Sequence, residues 1–493
     1  MNRRDFILAF GALAAMPGER PVRLRSNPFT LGVASGDPAP GGVVLWTRLA
    51  GIDPQRVAVD WEIAEDDRFR RIAKKGSSLA LKEFGYSVHA EVGGLQPGRD
   101  YWYRFTAGGE ASPVGRTRTA RTSSGAANPF RFAFVSCQNY EHGYFTAYHH
   151  LAAEDLDVVV HLGDYIYETR FGTTIVRQHE AGEVFTLDQY RARYSLYRSD
   201  PDLQAAHAAF PWIVTPDDHE VQDNYAGAIS KNEVPPEEFL RRRAAGYQAY
   251  YEFMPLRRTS MPAGPDISLF RKLSFGNLID FHVLDTRQYR SDQPCGDGRK
   301  PRCAAALAPS QTMMGAKQEN WLMTGLRSSQ ARWNVLANQV MIADVAQPVD
   351  GTKTYLMDTW GGYVEARKRL MNFLGQARPS NPVVITGDIH SNWVSDLKLD
   401  FDNPSSATVG TEFVGTSITS GGDGNDSVPE GLLEVNPHIK FFNTRRGYVR
   451  ATVTPSLWTS DYRVVPFVSR PGAPVETRAS FVVENGKLGA HRA

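Results

Sequence analysis

From Phe130 onward the chain repeats one event. An apolar, strand-length run ends, and the residues that follow can do chemistry. FAFVS ends in Cys137, DVVVHLG in Asp164, and WIVTP in Asp217-Asp218-His219-Glu220. LIDFHVL ends in DTRQYR (285–290), WNVLA in Asn338-Gln339, and PVVITG in DIHSNW (388–393). Helix-capable segments such as 236–253 and 317–330 lie between the runs. Strands alternating with helices predict an α/β domain. In open α/β sheets ligands sit outside the carboxyl ends of the strands. Six such ends carrying Cys, Asp, Tyr, His, Asn and Arg therefore predict one site assembled from dispersed loops.

The preceding part has a different grammar. GGVVLWTRL (41–49), VAVDWEIA (57–64), YSVHAEV (86–92) and YWYRFTA (101–107) alternate with period two between Gly, Pro and Asp clusters. Short strands at this density predict an immunoglobulin- or fibronectin-like β-sandwich. A chain of 493 residues is too long for one ordinary core. The expected division is an export signal over 1–25, a β-sandwich over 27–120, a linker over 121–129 (RTSSGAANP) and a catalytic domain over 130–493.

The segment MNRRDFILAFGALAAMPG sets Arg3-Arg4 ahead of a short apolar run. It has the pattern of a twin-arginine export signal, and the run is too short to span a bilayer. The expected location is periplasmic or secreted, with the twin-arginine translocation machinery as a transient partner. Net charge is +1, so no global field draws nucleic acid or an anionic membrane, and no specific nucleic-acid partner is expected. Of the three cysteines, Cys295 and Cys303 are spaced in PCGDGRKPRC to suit a small disulfide-closed loop, the other reading being two surface thiols. Cys137 remains, and its stretch alone also reads as a buried core cysteine.

Three segments carry most of the chemistry. In GDYIYE (163–168), Gly163 permits close approach of backbone, and Asp164 and Tyr167 are spaced to present two oxygens together. That pair favours a strongly Lewis-acidic metal, or else Asp164 caps a helix and Tyr167 packs beneath it. In TPDDHEVQDNY (215–225), adjacent carboxylates need a cation or a proton unless the turn is simply solvated. In GDIHSNW (387–393), an extended backbone would turn Asp388 and His390 to one face, to bind two neighbouring metals or grip one. A structural aspartate with a satisfied histidine is the alternative.

Together the segments are more specific than any one of them. The order SC…GDxxY…DDHE…GDIH resembles the calcineurin-like metallophosphatases, with Cys137 where the first motif of that superfamily has its acidic ligand. That replacement, with Asp217-Asp218-His219-Glu220 where the superfamily has GNH(D/E) and Gly387-Asp388-Ile389-His390 where it has GHxH, makes the chain similar to the PhoD-type alkaline phosphatase family. FTLGVASGDP (29–38), VVLWTR (43–48), DTRQYR, DQPCGDG (292–298), WNVLANQVM (333–341), EFVGTSITSGG (412–422) and RRGY (445–448) extend the resemblance over nearly the whole chain. Thr215-Pro216 before the acidic pair, Asn338 where Gln is frequent, and WGGY (360–363) depart from the family pattern.

The resemblance implies an αββα sandwich behind the β-sandwich domain, and a mixed metal site. Cys137, Asp164, Tyr167 and His390 would hold Fe(3+), whose charge thiolate and phenolate stabilise. Asp164 would bridge to an all-oxygen site of Asp218, Asn224 and Asp388, with Asn338 as a further ligand, suited to Ca(2+), one or two ions. Implied too is hydrolysis of small phosphate esters by metal-activated water or a bridging oxide. His219 is the expected proton donor near the leaving group. Arg287 is either a phosphate clamp or part of a structural salt bridge. A same-family diesterase acting on phospholipid, teichoic acid or nucleotide diesters is the second reading, and a non-catalytic surface binding protein the third.

Overall fold

A computed structural model describes residue 24 and residues 26–122, 129–173 and 175–493. The twin-arginine segment, and residues 123–128 of the expected linker, lie outside the described residues.

Two large sheets face each other. One has ten strands, in the order His491–Arg492, Glu476–Glu484, Leu457–Val465, Arg446–Val453, Phe130–Val135, Val158–His161, Pro211–Val214, Val33–Ala39, Gly42–Arg48, Ser87–Gly93. The other has seven, in the order Arg271–Phe275, Ile279–Val283, Trp333–Ala337, Pro382–Thr386, Thr408–Val414, Asn392–Lys398, Ile439–Asn443. The central strands of each run parallel.

Side-chain alternation explains the layering. Phe130, Phe132 and Phe134 point to one face of their strand and meet Phe281, Val335, Val383 and Ile385 of the opposing sheet. Ala133 and Val135 point the other way, into a core with Tyr148, Tyr194, Tyr197 and Tyr250 from covering helices, including Leu187–Arg198 and Pro236–Phe253. The seven-stranded sheet is likewise covered by Gly315–Ser328 and Val364–Ala377, through Leu322, Leu326, Leu370 and Met371. This is a helix–sheet–sheet–helix sandwich. Each fully buried Phe contributes about 1.5–3 kcal/mol relative to exposure.

The amino-terminal β-sandwich forms around Val43, Leu45, Val59, Tyr101, Tyr103 and Phe105. Its topology adds something that the pattern of strands did not carry. Val33–Ala39, Gly42–Arg48 and Ser87–Gly93 are hydrogen-bonded onto the edge of the catalytic sheet, where Ser35 pairs with Pro211 and Gly36 with Trp212. A second sheet of five strands closes the sandwich. Gly36 is required at this junction, because a Cβ there would lie 2.4 Å from the Pro255 carbonyl oxygen.

Candidate metal centre

The six chemistry-bearing strand ends converge. Just beyond the strands the backbone leaves the extended region, and it does so at the candidate ligands. Cys137 (φ 59°), Asp164 (57°), Asn224 (50°), Asp388 (65°) and His390 (54°) are all left-handed. Such conformations cost on the order of 1–3 kcal/mol each and persist where the surroundings enforce them. The expected extended geometry of Asp388 and His390 is therefore corrected. Both residues have positive φ, and they fall in different side-chain groups. Gly163 behaves as its motif suggests, since a Cβ there would lie 2.3 Å from the Asp217 Cβ.

Three groups of donors have atoms mutually within 4.8 Å: Cys137 with Asp164 and His390, Asp164 with Asp218 and His219, and Asp217 with Asp218 and Asp388. Shared Asp164 and Asp218 make them one continuous centre. Tyr167 belongs to its first end. Its hydroxyl donates to Asp164 Oδ2 at 2.8 Å and lies 3.1 Å from His390 Nε2. The Ser420 hydroxyl reaches both the Tyr167 oxygen and the Cys137 carbonyl at 2.7 Å.

At the other end the Asn224 amide donates to Asp218 Oδ2 at 2.6 Å, and its side-chain nitrogen to Asp297 Oδ2 at 2.8 Å. Asn338 gives its side-chain nitrogen to the Val340 carbonyl. The Cys295–Cys303 pair is closed as a disulfide, and Gln293 beside it donates to the Asn224 carbonyl and to Asp358 Oδ1, both at 2.7 Å.

Electrostatics show what the centre lacks. Asp164 Oδ1, Asp217 Oδ2, Asp218 Oδ1 and Asn338 Oδ1 are buried without a hydrogen-bond partner among the described residues. Buried oxygens are normally satisfied, so an orphaned cluster of them fits cations. Burial and neighbouring carboxylates push the acids of Asp164 and Asp388 well up. Burial and Asp164 raise the Cys137 thiol and the Tyr167 phenol in the same way. Burial also raises Asp218, but Arg287, His219 and the Asn224 amide outweigh it and hold this acid low. Burial and Arg446 bring His390 down to about 3, leaving a neutral imidazole able to ligate. The donors present thus fit a thiolate–phenolate site beside an oxygen-rich one.

His219 stacks on Tyr167 at 4.1 Å between ring centroids, and its Nδ1 lies 2.7 Å from Glu168 Oε2. Burial opposes its positive charge, but Asp218, Asp164 and Glu168 prevail and raise it well above the usual histidine value. Arg287 is 1 % exposed. It pairs with Asp217, with Asp358 at 2.8 Å, with Asp388 at 3.5 Å and with Asp218 at 3.6 Å. Its surroundings are those of the salt-bridge reading.

Sequence reasoning missed several contributors. Asp358 follows no recognisable strand-end pattern and joins the centre through Arg287 and Gln293. Glu168 lies in the quoted GDYIYE but had no role there. Glu220 accepts from the backbone amides of Tyr165 at 2.7 Å and Asp217 at 2.8 Å, tying two ligand loops together.

Comparisons with known proteins agree with this architecture. The model of the PhoD-like phosphatase family matches residues 132–462, and that of the PhoD-like phosphatase N-terminal domain matches 14–121. Alkaline phosphatase D of Bacillus subtilis (strain 168) is 51% identical, over all of this chain and 89% of its own length. A solved structure described as "Structure of PhoD" superposes with a TM-score of 0.93 at 51% identity, covering 96% of this chain and 93% of that one.

Proposed function

The chain belongs to the PhoD-like phosphatase family, and from that premise we propose that it is an exported, metal-dependent alkaline phosphatase that also cleaves phosphodiesters. The observation that carries the reading is the buried run of under-compensated donors from Cys137 to Asp388. Cys137, Asp164, Tyr167 and His390 would hold Fe(3+). Asp164, Asp218, Asn224 and Asp388, with Asn338 Oδ1, would hold Ca(2+), one or two ions. Such ions, when bound, supply positive charge that polarises phosphoryl oxygens and acidifies water.

The chain's own residues do the rest. Asp164 and Asp218 fix the spacing of the two halves. His219, with Nδ1 committed to Glu168, has Nε2 left to give a proton to the departing alkoxide. Arg287 holds Asp217, Asp358 and Asp388 against their mutual repulsion, so the oxygen-rich half keeps its shape before substrate arrives. Export through the twin-arginine route, to a periplasmic or secreted location, is supported by the Arg3-Arg4 pattern and by a disulfide, which oxidising compartments favour.

The test is metal analysis of purified protein together with hydrolysis of 4-nitrophenyl phosphate and bis(4-nitrophenyl) phosphate at alkaline pH. Iron with calcium, a visible tyrosinate charge-transfer band and turnover of both esters are expected. Protein that hydrolyses neither ester with both metals supplied overturns the reading.

A further inference from the structure

An apolar cleft of about 200 Å³ opens beside the loop that carries Asp388 and His390, walled by Met341, Leu356, Ile389, Trp393, Leu432 and Phe442. Its position follows from the same loops. Ile389 lies between Asp388 and His390, and Thr359, also in the wall, follows Asp358. The polar groups of the wall are largely satisfied internally. Trp393 Nε1 donates to Ser391 Oγ at 2.8 Å, Ser391 Oγ to the Ile389 carbonyl at 3.0 Å, and Thr359 Oγ1 to the Leu356 carbonyl at 3.0 Å.

Arg299 is the exception. It lines the cleft from a short strand paired with Leu356, and its Nη1 is buried without a hydrogen-bond partner among the described residues. Among the described residues no carboxylate forms an ion pair with it. Arg287, Arg290, Arg302 and Arg367, by contrast, all meet carboxylates. A guanidinium nitrogen enclosed without a partner is costly unless an anion arrives to meet it. The loop carrying it also holds the centre, since Asp297 accepts from Asn224 at 2.8 Å.

We propose that this cleft is the leaving-group subsite, and that it selects phosphate esters whose alcohol portion is an aryl or short apolar group bearing a second anion that pairs with Arg299. This rests on the phosphate-ester reading above and names its substrate class. Size supports a compact group, because a cavity of about 150 Å³ already accepts a benzene ring. The second anion is a carboxylate or a second phosphate, and both chemistries suit the guanidinium fork.

The experiment compares kcat/KM for 4-carboxyphenyl phosphate and 1,4-phenylene bisphosphate with that for phenyl phosphate, in the metal-loaded wild type, R299Q and R299K. Leaving-group reactivity cancels when each ratio is compared between proteins. The anionic esters are expected to be preferred by roughly tenfold more in wild type than in R299Q, with R299K in between. Binding of 2-naphthoate, followed by calorimetry, reads the subsite without turnover. It should weaken about as much in R299Q. Val345 also lines the cleft, and V345W, which narrows it, should weaken binding while leaving Arg299 in place. Equal ratios in wild type and R299Q, or naphthoate binding indifferent to both substitutions, would overturn the subsite. Naphthoate binding that depends on Arg299, in an enzyme that cleaves no phosphate ester, would instead defeat the phosphatase reading and leave the subsite standing.

Discussion

Around Asp344 one buried carboxylate meets two guanidinium groups, Arg302 and, at 2.8 Å, Arg367. Around Arg287 one buried guanidinium faces Asp217, Asp218, Asp358 and Asp388. Burial alone would raise Asp344, but Arg367 and Arg302 outweigh it and hold its acid below the usual carboxylate range. At the centre the cations run short. Asp388 is pushed up by burial and by Asp217, and so is Asp164 by burial and its acidic neighbours. The first cluster is complete within the chain. The second is complete only with cations from outside, and that is how a structural ion network differs from a site built for metal.

The largest expected effect tests the incomplete cluster at its shared residue. Asp164→Asn should lower kcat/KM by roughly a thousandfold, with loss of iron in elemental analysis. Full metal content in an active variant would remove Asp164 from the bridging position.

Next, both clusters can be broken in parallel. Asp344→Ala leaves two buried guanidinium groups unpaired, and Arg287→Met leaves a nest of buried carboxylates. Each should cost about 3–5 kcal/mol in denaturant unfolding. Added calcium should restore part of the loss in Arg287→Met and none in Asp344→Ala. Equal rescue in the two would erase the distinction drawn between them.

Glu168→Gln should act more mildly, on proton donation alone. It keeps the shape of the partner at 2.7 Å from His219 Nδ1 but removes its charge. Turnover of an alkyl phosphate should fall on the order of tenfold. Turnover of 4-nitrophenyl phosphate, whose leaving group needs no proton, should barely change.

The smallest effect is one of pH. Asp164 and Asp388 are raised, Asp217 is brought to about 6 by burial against the pull of Arg287, and Glu220 to about 8 by burial against its backbone amides. Acids raised in the folded state favour folding below the unfolded carboxyl value of about 4, and that contribution is lost as pH rises through the folded values. Raised His219 has the same sign. Depressed Asp218 and Asp344 have the opposite sign, but their contribution is lost only in acid. Buried neutral histidines such as His161 and His390, both brought to about 3 by burial, also have the opposite sign. Their contribution is gained as pH rises through the unfolded histidine value of about 6.5 and is complete above about pH 7.5. Metal-free protein should therefore melt a few °C lower at about pH 9 than at about pH 7.5, and metal-loaded protein should not. A metal-free melting point that rises over this range would contradict the charge balance inferred for the centre.

Much of this was legible beforehand because it is local. The run WNVLA is the strand Trp333–Ala337, and 236–253 is the helix Pro236–Phe253, since period and end signals are written in neighbouring residues. The strand-end residues Cys137, Asp164, Asp218, Asp388 and His390 do meet. Asp358 and Glu168 were silent because their partners are 71 and 51 residues away. The conformation of Asp388 and His390 was misjudged because left-handed backbone at non-glycine residues is imposed by surroundings, not by preference.

The sequence by itself determined the elements, the two kinds of region and the inventory of donors, because periodicity and strand-end chemistry act over a few residues. Only the tertiary structure decided that three amino-terminal strands extend the catalytic sheet, since edge pairing such as Ser35 with Pro211 follows no local pattern. It alone decided that Arg287 is enclosed by four carboxylates and that Arg299 pairs with none among the described residues. Charge balance is a property of what meets in space, and the order of residues along the chain does not contain it.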